Sequence, residues 1–317
     1  MKAVCLQDGT LALRDVPLPE PGPDEALIRV TMAGISYTDL EIAKGYMDFS
    51  GVLGHELCGV VMACNDVRYV GRRVAGEINL ACTRCALCKR GLGRHCQTRS
   101  VLGIVAKDGC FAEYVTLPVR NLHPLPSTLP DEVACFVEPT AAAFEVLEQI
   151  TPMPNDRALV LGDGKLGILV AQVLMTTGCS VALAGNHARK LELARGLGLT
   201  TLGHAELEPK SFDIVVDATG SPKGLEQAIK LTRPRGTVVL KSTYHGAVTL
   251  DTAPIVIDEI SLIGSRCGPF AIAIAALEAG SIDPRPLIDA IVPLADALSG
   301  FERAAAAGGL KVLLDMR

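Results

Sequence analysis

The chain has 317 residues, 49% of them hydrophobic, with 30 Lys and Arg against 35 Asp and Glu and a formal net charge of −5. That length accommodates one large or two ordinary domains with real cores. The mild acidity, with no basic block above background, argues against nucleic acid and anionic membrane as partners.

Up to about Pro139 the chain is made of short β-branched runs punctuated by Gly and Pro, among them ALIRVTMAGI, CGVVMAC, GRRVAGEI and FAEYVTLP. Such runs predict the strands of a β-rich domain with long loops. The character changes at ACFVEPTAAAFEVLEQI, whose alanines and leucines recur at helical spacing. From Arg157 strands and helices alternate: RALVLGDG, a helix through Thr177, SVALAGN, a helix over ARKLELARGLG, then FDIVVDATGS and TVVLKSTY. Alternation of this kind predicts a parallel sheet with crossover helices. The tail FERAAAAGGLKVLLDMR reads as a helix and a last strand. The longest apolar stretch, Leu166 to Met175, is interrupted by Gln172 and too short to span a bilayer. No basic-then-apolar leader opens the sequence, and eleven cysteines suit a reducing compartment. A cytoplasmic chain of two domains, independent of nucleic acid and membrane, is the expectation.

Cys82, Cys85, Cys88 and Cys96 read C-x2-C-x2-C-x7-C. Thiolates spaced this tightly can converge on one tetrahedral zinc at Zn–S distances of about 2.3 Å, leaving no vacancy for substrate. Arg84, Lys89, Arg90 and Arg94 surround them and offset their charge. The expected role is structural. The other seven cysteines (Cys5, Cys58, Cys64, Cys110, Cys135, Cys179 and Cys267) read as small buried residues.

Gly162, Gly164 and Gly167 form G-x-G-x-x-G between an apolar strand and a helix, with Lys165 and Leu166 inside the motif. The first glycine permits a tight turn, the second admits a pyrophosphate to the backbone, and the third lets helix and strand pack closely. Free amides at the helix start favour the anion. The acid that usually binds the adenine ribose at the end of the next strand is missing, and Gly185, Asn186 and His187 stand there, followed by Arg189 and Lys190. Two cations without an acid favour NADP(H) over NAD(H). The alternative is that Arg189 and Lys190 merely solvate the helix start.

Gly54-His55-Glu56 with Gly59, the four-cysteine lobe, Glu138-Pro139 and the glycine turn together resemble the zinc-dependent alcohol dehydrogenases of the medium-chain dehydrogenase/reductase superfamily. The resemblance covers essentially the whole chain. It implies an α/β fold: a GroES-like β-rich catalytic domain with the zinc lobe over 1–139 and a Rossmann doubly wound parallel-sheet domain over 140–267. A C-terminal segment over 268–317 returns to the first. It also implies a homodimer or homotetramer, paired through the strand near Ser261–Gly264.

By the same resemblance His55 and Glu138 are ligands of a catalytic zinc, and Glu56 is an acid beside the metal that can also ligate it. Ser36 stands where relatives place a ligand cysteine, and a neutral hydroxyl is a far poorer zinc ligand than a thiolate. Three outcomes remain open: zinc held by His55, Glu56, Glu138 and water; zinc bound weakly and lost; or a serine that cripples the enzyme. Thr38 matches the hydroxyl that passes the substrate proton onward, and Asp39 an acid that orients His55. Glu41 occupies a position where many relatives carry a relay histidine. Arg266 matches an arginine near the cofactor pyrophosphate, and Lys241 follows a strand whose end should lie near the nicotinamide. Either cation can equally be a surface charge. Tyr46, Met47 and Phe49 are candidates for the pocket wall or for packing.

The function expected is zinc-containing hydride transfer between NADP(H), or NAD(H), and a small alcohol, a polyol, or the corresponding ketone or aldehyde. Two rivals stand beside it. One is a metal-independent quinone or enone reductase retaining only the structural zinc. The other is a catalytically silent NADPH-binding protein.

Overall fold

The computed structural model describes residues 1–243 and 247–317, so Tyr244, which ends the run TVVLKSTY, lies outside the described residues. Two compact units emerge. One comprises Met1–Glu138, Ala273–Glu278 and Leu287–Arg317; the other comprises Pro139–Ile272 and Ala279–Pro286.

The first unit is organised on a seven-stranded sheet whose longest strand is Glu25–Ile35. That strand pairs antiparallel with Glu56–Ala63, Tyr114–Pro118 and the last strand, Lys311–Asp315. Its alternating residues Ile28, Val30 and Met32 are buried, as are Leu57, Val61, Val74 and Leu313 on other strands of the sheet. Each such side chain contributes about 1.5–3 kcal/mol by leaving water. The register sets Gly34 opposite Glu56 on one neighbour and Leu313 on the other. The short antiparallel pair Asn79–Leu80 with Ser100–Val101 pins the two ends of the cysteine loop.

The second unit is a six-stranded sheet in which every pairing is parallel. Across the sheet the strands run Thr200–Leu202, Ser180–Ala184, Arg157–Leu161, Phe212–Asp217, Thr232–Leu240 and Ser261–Gly264. In chain order this is 3-2-1-4-5-6, the doubly wound arrangement, with its reversal between Arg157–Leu161 and Phe212–Asp217. Helices Lys165–Met175, Ala188–Gly196 and Pro222–Leu231 make crossovers. Ligands bind such sheets beyond the carboxyl ends of the strands at the reversal, where the glycine turn lies. Among the described residues no helix is long and apolar enough to cross a membrane.

Five of the seven cysteines outside the tetrad are buried as expected, but Cys64 and Cys267 are half-exposed. Cys64 lies just beyond the strand Glu56–Ala63, where the chain turns outward, and its thiol meets the Asp66 carbonyl at 3.0 Å.

Candidate metal centres and nucleotide turn

Ser36 is the N-cap of the helix Tyr37–Ala43. Its hydroxyl accepts the Asp39 amide at 3.1 Å, and its own amide donates to Asp39 Oδ2 at 2.7 Å, which closes a capping box. The other carboxylate oxygen, Asp39 Oδ1, lies 3.2 Å from His55 Nδ1. That contact is an ion-pair approach without the alignment of a hydrogen bond. Both residues are buried, at 0% and 4% exposure. Burial alone would depress the His55 pKa. The charge of Asp39, with those of Glu138 and Glu56, outweighs it and lifts the imidazole to about 9. Burial would raise the Asp39 pKa, but His55 and the Ser36 cap hold it below the usual carboxylate range. With Nδ1 turned to the carboxylate, Nε2 is the ring nitrogen left to ligate a metal, as when an acid orients a ligating histidine.

His55, Glu56 and Glu138 each bring a ligand atom within 4.8 Å of the others. Glu56 opens its strand, and Glu138 lies in the first turn of the helix Val137–Gln149. One imidazole and two carboxylates are a donor set that zinc accepts with a position left open. Glu56 also makes a close ion pair with Lys311, and both side chains are almost wholly buried. The ammonium lies 5.6 Å from the centre of the Phe136 ring, within cation–π range. Gly34 is what makes room: a Cβ there would collide with the Glu56 carboxylate. Thr38, the second residue of the capped helix, is half-buried, and Glu41 pairs with Lys44 at 2.9 Å. Met47 is exposed, while Tyr46 and Phe49 are half-buried.

The four lobe cysteines converge as well. Sγ–Sγ separations are 3.5 Å for Cys85–Cys88 and 3.9 Å for Cys82–Cys88 and Cys85–Cys96. A tetrahedron with Zn–S bonds of about 2.3 Å has edges of about 3.8 Å, so the thiols fit a closed tetrathiolate. Between Cys82 and its neighbours Thr83 adopts φ +61°. The backbone amides of Arg84 and Cys85 bond to the Cys82 sulfur and lower its pKa to about 5, preparing it as a thiolate.

In the second unit Gly162 has φ +112°, and a Cβ on Gly167 would strike the Gly162 carbonyl. Gly164, the N-cap of the helix that carries Lys165 and Leu166, faces space free of protein atoms. A turn of this geometry could seat a pyrophosphate. At the end of the next strand Asn186 Oδ1 lies 2.8 Å from His204 Nε2, and Lys190 is mostly buried. Arg189 lies in the first turn of the helix Ala188–Gly196. Lys241 is buried too, donating to Ser265 Oγ at 3.0 Å and the Arg266 carbonyl at 2.7 Å. It braces the segment that carries Arg266.

Residues 22–127 match the model of the alcohol dehydrogenase GroES-like domain, and residues 166–279 that of the zinc-binding dehydrogenases. D-arabinitol dehydrogenase 1 of Uromyces fabae is 31% identical over 330 residues, covering 96% of this chain and 93% of that protein. The chain belongs to the zinc-dependent alcohol dehydrogenase family of the medium-chain superfamily. A zinc-binding dehydrogenase from Sinorhizobium meliloti 1021, solved bound to NADP, superposes with a TM-score of 0.90 at 30% identity, covering 99% of this chain and 98% of that one. An alcohol dehydrogenase from E. coli CFT073, solved with NADH, gives a TM-score of 0.93 at 28% identity, with 100% and 99% covered. The GroES-like and Rossmann architectures expected for this oxidoreductase are therefore both present.

Two residues of this family member escape sequence reasoning. Lys311 reaches Glu56 across 255 positions, and its only signal is a lysine heading the apolar run KVLLD. Asp163, inside the glycine motif, is 5% exposed and accepts the His187 amide at 2.7 Å. Its signal is an acid in G-D-G combined with a glycine at 185.

Proposed function

We propose that the protein transfers hydride between NADP(H) and a small secondary alcohol or polyol, or its ketone or aldehyde, with zinc at His55, Glu56 and Glu138. The observation that carries this is the convergence of those three ligand atoms in front of a histidine backed by Asp39. When bound, zinc supplies a Lewis acid for the alcohol oxygen and the nicotinamide accepts hydride. The protein's own part is orientation and proton transfer. Asp39 holds His55 in the ligating tautomer, and the Thr38 hydroxyl relays the proton that leaves the alcohol, accepting it while giving up its own towards the cofactor ribose. Gly162, Gly164 and Gly167 seat the pyrophosphate at the helix start, and Arg189 and Lys190 supply the cationic side that favours a 2′-phosphate. The tetrathiolate at Cys82, Cys85, Cys88 and Cys96 maintains the lobe.

Zinc content per chain on freshly purified protein tests the reading, followed by a panel of polyols and secondary alcohols. About two zinc ions per chain with turnover supports it. About one, with turnover of activated alkenes or quinones, supports the metal-independent reading instead. That alternative draws on a specific observation: the Ser36 hydroxyl is engaged as a helix cap, and Glu56 is paired with Lys311. About one zinc with tight NADPH binding and no turnover describes the silent protein.

The proposal extends to a cytoplasmic homodimer or homotetramer. The edge strand Ser261–Gly264 is largely exposed, including Leu262, and near it in sequence Val256 and Ile257 are 74% and 76% exposed. Unpaired edges and apolar patches of this kind are usually covered. Light scattering of the purified chain reads the state directly.

A further inference from the structure

The strand-end acid that would read the adenosine ribose is absent, yet a carboxylate occupies that neighbourhood. Asp163 rises from the glycine turn toward Gly185, where any Cβ would collide with it. Its Oδ2 accepts the His187 backbone amide at 2.7 Å, and Oδ1 lies 2.9 Å from His187 Nδ1. The carboxylate is almost fully buried, whereas the His187 side chain is 48% exposed. Backbone and ring of one residue are thus gripped by one carboxylate. The grip holds Nδ1 against Asp163 and leaves Nε2 on the far side of a ring that is half exposed.

We propose that Asp163 and His187 form one recognition element for the 2′-phosphate of NADP(H), with His187 Nε2 as the contact and Asp163 as the positioning residue. This rests on the reading that a dinucleotide binds at the glycine turn. The chemistry favours a phosphate over a hydroxyl. An imidazolium between a carboxylate and a phosphate satisfies both anions through its two N–H groups. The carboxylate sits on the Nδ1 side of the ring, so the ring stands between it and the phosphate. Asn186 already meets His204 and Lys190 is buried, whereas His187 is held through both its amide and its ring by one carboxylate.

Binding of NADPH, NADH, 2′,5′-ADP and 5′-AMP, measured by calorimetry, tests the assignment without turnover. His187→Ala should weaken NADPH and 2′,5′-ADP by about tenfold, the scale of one charge-assisted hydrogen bond, and change NADH and 5′-AMP less than about twofold. Asp163→Asn keeps the shape and should weaken the phosphorylated pair by about threefold or more. In the His187→Ala background it should cause no further loss, because its effect runs through the ring. An unchanged ratio between phosphorylated and unphosphorylated ligands in His187→Ala overturns the proposal. So does tighter NADPH binding in Asp163→Asn, which would make the carboxylate a direct barrier. If the unaltered protein binds neither dinucleotide, the nucleotide reading falls with it; if it binds them and the ratio stays flat, only this inference falls.

Discussion

Lys311, on the last strand, and Glu56, at the start of a strand two places away in the same sheet, form an ion pair in the core of the first unit, with Gly34 between them. Glu56 is also one of the three converging ligand residues. The C-terminal strand therefore delivers the positive charge that stabilises a carboxylate of the candidate metal centre before any metal arrives. Two buried charges are costly to desolvate, and their attraction offsets this only when both are present.

Removing one partner isolates the other. Lys311→Met should lower the stability of the metal-free protein by about 3–5 kcal/mol, read by chemical denaturation. The double variant Lys311→Met with Glu56→Gln should recover more than half of that loss, because no uncompensated charge remains. Recovery of nothing would mean that the lysine acts by packing its stem and not by its charge.

The pH dependence follows from His55. Its pKa rises from 6.5 to about 9 in the folded protein. A raised folded pKa contributes stability that is fully present below about 6.5 and is lost as pH rises through about 9. Metal binding runs the other way, since zinc must displace the proton. Affinity for zinc at His55 should rise about tenfold per pH unit up to about 9 and then level off. Competition with a chromophoric chelator, with the cysteine lobe kept loaded, measures it. A flat profile between about 6.5 and 9 would show that His55 is not a ligand.

Ser36 poses a trade between two local roles. As N-cap it completes a capping box with Asp39, and losing such a cap costs about 1 kcal/mol. Ser36→Cys should therefore lower the stability of the metal-free protein by about that amount while offering zinc a thiolate. The expected signature is a lower metal-free melting temperature together with a larger zinc-induced rise than the unaltered protein shows. If zinc raises both proteins equally, position 36 does not reach the metal.

Much of this architecture was legible from local pattern. The alternation from Arg157 onward predicts the parallel sheet because strand and crossover helix each carry their own period, and the strand Glu25–Ile35 announces itself by β-branched residues. The tetrad was legible because all its ligands lie within one short loop. Relations between distant segments were not. No spacing rule links Lys311 to Glu56, since sheet order brings them together. Asp163 stands at a variable position of the glycine motif, which carries no signal of its own, and only the missing side chain at Gly185 gives its carboxylate somewhere to go. Likewise the capping role of Ser36 was hidden behind the question of whether it can ligate.

The glycine turn separates structural from ligand-driven glycines. A Cβ on Gly167 would strike the Gly162 carbonyl, so Gly167→Ala should destabilise the fold by pushing helix and strand apart, at a cost of about 1–3 kcal/mol. Gly164 has φ −74°, which any L-residue adopts, and a Cβ there meets no protein atom within 4 Å. Gly164→Ala should leave the melting temperature within a degree or two, since the N-cap preference it loses is modest. Its methyl would instead enter the space assigned to the pyrophosphate, and NADPH and NADH should both bind at least about tenfold more weakly, as overpacking at a close approach predicts. Equal loss of both cofactors matters here, because the pyrophosphate is common to them and the 2′-phosphate is not. Unimpaired binding with unchanged stability would move the dinucleotide away from this turn.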